Sequence, residues 1–423
     1  MSNLAHMQID PPPMPAEDAQ AAPVMKPVPR ITIHAFCEHP ETGSIIQRAG
    51  EDRRLSKAHL TVHMGGMRAA AEFYQQTATP NLILVETLAG GNELFGHLAS
   101  LAEVCDAGTK VVVLGHLNDV SVYREMIRQG VNEYLVTPLS PIQIIEAVSR
   151  LYVDPDAPPI GRSIAFMGAK GGTGSSTIAH NVGWCISTRM NEDVIITDLD
   201  LAFGTAGLDF NHDPAQGIAD ALMAPERLDD VLLDRLLVKC SDHLSLFAAP
   251  AVLDRDLDMD SESFESVLEI VRETVPCVIV DLPHIWSPWT KKLLMSADEI
   301  VITATPDLAS LRNAKNIIDL AIQTRSNDGM PHLVINQVGV PKRPEIPVKD
   351  FAEAIGIEPT LVLPFNPGLF GAAANNGQMI EELDPKNKAT EGMRYLAKQL
   401  CGRDPMPIKA AKKSFLQRLA RKG

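Results

Sequence analysis

Long apolar runs are missing from this 423-residue chain. None approaches the roughly 18–20 consecutive apolar residues that a membrane-spanning helix needs. Cysteine is sparse and scattered, with six residues at 37, 105, 185, 240, 277 and 401 and no CxxC pair. That spacing speaks against a zinc ribbon or a CxxC redox centre and fits reduced core thiols. The N-terminal stretch lacks the basic and then apolar regions of a secretory signal. Basic charge is also short, with 38 Lys and Arg against 53 Asp and Glu. Residues 409–423 hold six of those basic residues and no acid; with a chain total of −15, the remainder carries −21. Neutralising a phosphate backbone needs clustered Lys and Arg, so no nucleic-acid partner is expected. These absences predict a cytoplasmic chain in which only the C-terminal end could approach an anionic surface.

What is present is ordinary globular sequence, 45% hydrophobic and 22% charged, long enough for two domains with tails. Residues 1–28 combine Pro11-Pro12-Pro13, Pro15, Pro23 and Pro27 with alanine and acids, a composition that buries no core and predicts a disordered tail. Residues 29–153 alternate β-rich runs (30–36, 60–63, 81–86, 110–115, 133–136) with helical patterns. That alternation predicts a doubly wound parallel α/β sheet. A proline-rich linker, 154–161, follows. Residues 162–402 alternate again, with strands expected at 163–167, 193–197, 244–248, 277–280, 299–303, 332–335 and 360–363, giving a second α/β sheet domain. Residues 403–423 end the chain as a basic amphipathic tail.

The second domain opens with the strongest motif. Gly168-Ala-Lys170-Gly171-Gly172-Thr173-Gly174-Ser175-Ser176-Thr177 follows a strand and opens a helical pattern. In that context successive glycines turn backbone N–H groups onto phosphate oxygens, and the helix N-terminus adds its dipole. Ser176 stands where the motif places its Mg²⁺-coordinating hydroxyl. Ile195-Ile-Thr-Asp198-Leu-Asp200 puts two acids at a strand end, and Val278-Ile-Val-Asp281 is a buried-type strand ending in an acid that would hold Mg²⁺ largely through water.

Lys170-Gly-Gly-Thr-Gly resembles the deviant Walker A motif of the MinD/ParA superfamily of P-loop ATPases. The resemblance implies that Lys170 reaches a nucleotide across a homodimer and that Asp200 positions the attacking water. It also implies that Asp281 and Ser176 serve the metal and that Asn336 reads adenine. The passage Ser296-Ala-Asp-Glu and Thr305-Pro-Asp-Leu-Ala-Ser-Leu-Arg-Asn-Ala-Lys315 strengthens it. The family's second lysine is replaced by Ser175, which carries no charge, so slow hydrolysis is expected. The late run Leu363-Pro-Phe-Asn-Pro with Phe370-Gly-Ala-Ala-Ala-Asn-Asn-Gly377 resembles more narrowly the CpaE/TadZ pilus-assembly family.

The first domain has the topology expected of a receiver, a flavodoxin-like fold, yet its phosphorylation positions read Cys37-Glu38, Glu86, Gly115 and Thr137 before Pro138. Without the aspartate and lysine of a working receiver, it reads as a binding module. The combined expectation is an ATP- and Mg²⁺-binding, dimerising protein that positions or assembles a Flp/Tad-type pilus secretion machinery. Its front domain would meet the machinery, and the tail offers an anionic membrane contact at the inner membrane or cell pole. An active MinD- or ParA-like ATPase of division-site placement or partition is the alternative.

Overall fold

The computed structural model describes Met25 and residues 27–152, 160–249 and 259–402. The expected N-terminal tail, apart from its last few residues, most of the linker and the basic tail lie outside the described residues. Among the described residues no helix is long and apolar enough to cross a membrane.

The first sheet comprises β1 (Thr32–Cys37), β2 (His59–Met64), β3 (Leu82–Thr87), β4 (Lys110–Gly115) and β5 (Glu133–Val136), in the order 2-1-3-4-5. Every neighbouring pair is parallel. β3 is buried at all of its positions. A strand covered by helices on both faces must be apolar on both, which is why it reads as a continuous run instead of an alternation. Leu82 and Leu84 pack with Ile46, Ile144 and Val148 on one face, while Ile83 and Val85 pack with Met67, Leu94 and Leu98 on the other.

The second sheet holds β6 (Arg162–Gly168), β7 (Val194–Asp198), β8 (Val238–Ser241), β9 (Leu244–Phe247), β10 (Cys277–Leu282), β11 (Glu299–Ala304), β12 (His332–Val338) and β13 (Leu361–Pro364). Their order is 13-12-11-6-10-7-9-8. All the expected strands are there, and one that was not. β8 pairs antiparallel with β9 at the sheet edge, so this sheet is not wholly parallel. Its Val-Lys-Cys-Ser sequence has no fully buried position, because one side of an edge strand faces solvent. The order sets β10 between β6 and β7, so Asp281 lies beside Asp198 in register and the ends of three strands meet. Crevices outside such carboxyl ends are where open α/β sheets bind ligands.

The two sheets are joined by buried ions. The short turn Arg53–Leu55 presents two arginines to the second sheet's loops. Arg53 donates to Asp328 (2.9 Å), Asp298 (3.0 Å) and the carbonyl of Ser296 (3.0 Å). Arg54, 1% exposed, donates to Asp52 and Asp328. Arg325 and Arg272 complete the set on Asp328 and Asp298, and Asn327 donates to Asp52. Each buried charge is therefore paired, the condition under which such a network is tolerated at all.

Candidate nucleotide site

The loop between β6 and the helix Ser175–Arg189 is shaped by two glycines in the left-handed region, Gly172 (φ 78°) and Gly174 (φ 84°). Side chains from other segments hold its carbonyls. His284 Nδ1 donates to Gly168 O (2.9 Å), Asn313 to Ala169 O (2.9 Å), Gln337 to Gly172 O (3.0 Å) and Asn336 to Thr173 O (2.8 Å). With the carbonyls so engaged, the N–H groups are what the loop has left to offer a ligand. Gly174 supplies no side-chain cap, so the first turn of the helix also presents open N–H groups.

Three polar atoms here are buried without a hydrogen-bond partner: Ser175 Oγ, Asp281 Oδ1 and His180 Nε2. Buried polar groups are nearly always hydrogen-bonded, so an orphan in a native site calls for a ligand, ion or water. Hydroxyl, carboxylate oxygen and open N–H groups are the donor set that a magnesium–phosphate group would meet, and the residues fit it. Ser176 and Thr177 are half-buried on the helix's first turn, while Gly171 and Gly172 are exposed. Beside them is a cavity of about 190 Å³ lined by Gly174, Thr177, Asn336, Phe365 and Phe370. Asn336 therefore borders a base-sized space. Its amide nitrogen, however, is spent on the loop, and its oxygen accepts from Gln337 N (2.8 Å).

Asp198 and Asp281 end adjacent strands, and both are almost wholly buried. Burial, and next the charge of Asp281, push the Asp198 carboxyl up to about 7, although it accepts N–H bonds from Asp200 (3.0 Å) and Ala206 (3.1 Å). Those bonds fold the turn that carries Asp200, whose own Oδ1 accepts from Phe203 N (3.1 Å). Lys170 is drawn aside: its Nζ meets Asp307 Oδ2 at 2.7 Å. Burial alone would raise the Asp307 carboxyl, but Lys170, Thr305 and the N–H of Ser310 hold it down at about 2.

His180 is the polar residue that sequence reasoning passed over. It is fully buried on the loop's helix, with Nδ1 2.7 Å from Asp209 and Nε2 3.3 Å from Asp281. Burial would lower its pKa; the two carboxylates outweigh that and raise it to about 10. The available signal was a histidine beside Asn181 on a helix whose neighbouring positions Ile178, Ala179 and Val182 are apolar.

Three of the first domain's receiver positions, Glu86, Thr137 and Pro138, line a cavity of about 320 Å³. Glu86 accepts from Glu38 N (2.7 Å), His39 N (2.9 Å), His39 Nδ1 (2.9 Å) and Thr42 Oγ1 (2.7 Å). Burial would raise this carboxyl; those four donors keep it lowered. At Gly115 a side chain would strike Tyr134, whose hydroxyl donates to Leu117 O (3.1 Å).

A family model described as an AAA domain matches residues 161–331. The crystal structure of a pilus assembly protein CpaE from Caulobacter crescentus is 54% identical over 30% of this chain and 98% of that one, with a TM-score of 0.30. Identity at that level over nearly all of a solved chain decides the family. The chain belongs to the CpaE-type proteins of the MinD/ParA superfamily. The septum site-determining protein MinD of Synechocystis is 24% identical over 62% of this chain and 98% of its own length. The MinD of Pyrococcus horikoshii complexed with Mg-ADP shares the fold, at 17% identity over 57% of this CpaE-type chain and 96% of its own, with a TM-score of 0.50.

Proposed function

We propose that this protein is an Mg-ATP-binding, dimerising switch that positions or assembles a pilus secretion machinery and turns ATP over very slowly. The observation that carries this reading is Ser175: its hydroxyl is buried and unpartnered in a loop that is otherwise fully organised. Such a site retains the N–H donors that bind phosphate and lacks the charge that would stabilise phosphoryl transfer.

The residues then divide as follows. The N–H groups of 171–176 hold phosphate oxygens, and the cavity beside Asn336 takes the base. Ser176 and Asp281 would hold the magnesium ion, which when bound neutralises phosphate charge. Asp200, on the turn braced by Asp198, would orient the water. Lys170 leaves Asp307 to meet the partner subunit's nucleotide. Exposed apolar side chains from three segments, Phe203, Ile285, Trp286 and Leu308, supply a face for that partner. The front domain, with its locked Glu86, acts as a docking module for the machinery, a role supported by the CpaE likeness and by the loss of receiver chemistry.

Calorimetry and light scattering test this together. Mg-ATP should bind and increase the dimer relative to ADP, with phosphate release far below the roughly 1–10³ per second of ordinary enzymes. Turnover in the ordinary enzyme range, or a chain that stays monomeric with saturating Mg-ATP, would overturn the reading.

A further inference from the structure

The three acids at the end of the second sheet belong to different parts of the proposed machinery. Asp281 ends β10, Asp198 ends β7, and Asp209 ends the short helix Ala206–Asp209 that follows the Asp198–Asp200 turn. His180 reaches Asp209 with one ring nitrogen and Asp281 with the other. A carboxylate only accepts hydrogen bonds, so Nδ1 is the donor to Asp209 Oδ2 at 2.7 Å. At the opposite edge of the ring Nε2 stands 3.3 Å from Asp281 Oδ2, an ion-pair contact and not a hydrogen bond, and both Nε2 and Asp281 Oδ1 are buried without a hydrogen-bond partner. The ring cannot swing away: it is wholly buried on the loop's own helix, against Phe210 at 5.8 Å between centroids.

We propose that His180 is a positioning residue that ties Asp281 to Asp209, so that metal capture at Asp281 and the placing of the 200–210 segment become a single event. This rests on the reading of Asp281 as a metal ligand. Outer partners of metal ligands fix the ligand's orientation and are felt strongly when removed. Here the outer partner also belongs to the phosphate-binding helix. A shift of Asp281 on taking up its metal therefore reaches Asp209 through one rigid ring, and the water-orienting turn at Asp200 lies just upstream of that helix. Sequence spacing hides this, since the three residues are 29 and 101 positions apart.

The test uses the full-length chain with ATP plus Mg²⁺, ATP plus EDTA, and no nucleotide. Calorimetry reads how much Mg²⁺ tightens ATP binding, and hydrogen exchange reads residues 200–212. His180→Ala should reduce the Mg²⁺-dependent tightening roughly ten- to hundred-fold while metal-free ATP affinity stays within about two-fold. Exchange at 205–212 should be faster than wild type even without nucleotide. Asp209→Ala cuts the bridge at its far end and should lower the Mg²⁺ effect in the same direction; if His180→Ala does not fold, this variant decides alone. Variants that are less stable yet keep the wild-type Mg²⁺ ratio and exchange at 205–212 make His180 an ordinary core residue and overturn the proposal. A wild-type chain that binds no nucleotide sinks the nucleotide reading instead, and exchange in the nucleotide-free variants still decides the bridge.

Discussion

Replacing Asp328 with alanine removes the acceptor at the centre of the contact between the two sheets. Its carboxylate receives Arg53 Nε at 2.9 Å, Arg325 Nε at 3.0 Å and Arg54 Nη2, and its side chain is 3% exposed. Removing one partner of a buried pair typically costs about 3–5 kcal/mol, because the other charge is left uncompensated. Arg53 keeps Asp298 and Arg54 keeps Asp52, which places the expectation near the lower figure, about 3 kcal/mol. That is roughly two decades in an equilibrium constant. Two of the three donors come from the first sheet's turn, so the loss should appear as separation of the sheets. All three tryptophans, Trp184, Trp286 and Trp289, lie in the second domain, so their fluorescence reports that domain alone, whereas far-ultraviolet dichroism reports both. In urea the wild type should give coincident curves by the two probes, and Asp328→Ala should give curves that part, with the earlier midpoint lowered. Coincident curves at the wild-type midpoint, within the ~1 kcal/mol of a surface pair, would refute the assigned weight of this network.

Lys170→Ala should abolish the ATP-dependent increase in dimer seen by light scattering while ATP still binds. Ser175→Lys should raise phosphate release by at least about ten-fold if the missing charge limits turnover; no rise would move the limitation elsewhere. Asp328 is held at about 2 against an ordinary 3.8, so its stabilisation is fully present above 3.8 and lost as pH falls through about 2. The two probes should accordingly diverge in acid over that interval and coincide at neutral pH. Acetyl phosphate or beryllofluoride should leave the spectrum of the front domain unchanged, since no aspartate stands where Glu86 does; stable labelling within 29–153 would contradict the binding-module reading.

Strands buried on both faces were legible because β3, β6 and β10 each contain an apolar run, 82–85, 164–167 and 277–280, and their positions could be read without knowing what they pack against. β8 could not be read that way, having one face in solvent and a lysine at its second position. The phosphate loop was visible as glycines at fixed spacing, but the side chains holding its carbonyls were not. Nothing in the sequence assigns His284, Asn313 and Gln337 to the carbonyls of residues 168–172; the fold brings them there. Asn336 was read as a base contact, and its amide proves to brace the loop. Arg53 and Arg54 were not singled out in the sequence, because their acceptors across the sheets lie 243–275 positions away. Burial of a charge is a tertiary fact, and nothing local announces it.

The ion pairs under Arg53 and Arg54 also bear on geometry at a larger scale. Two modules joined by a flexible tether sample many separations, and a ligand that engages both must first bring them together. Here the front domain is held at a fixed bearing to the phosphate loop. In a dimer formed across two such loops, the pair of front domains would stand at one set distance, like the jaws of a caliper. A target with two matching sites would then gain avidity with no tether entropy to overcome, and a target with the wrong spacing would gain none.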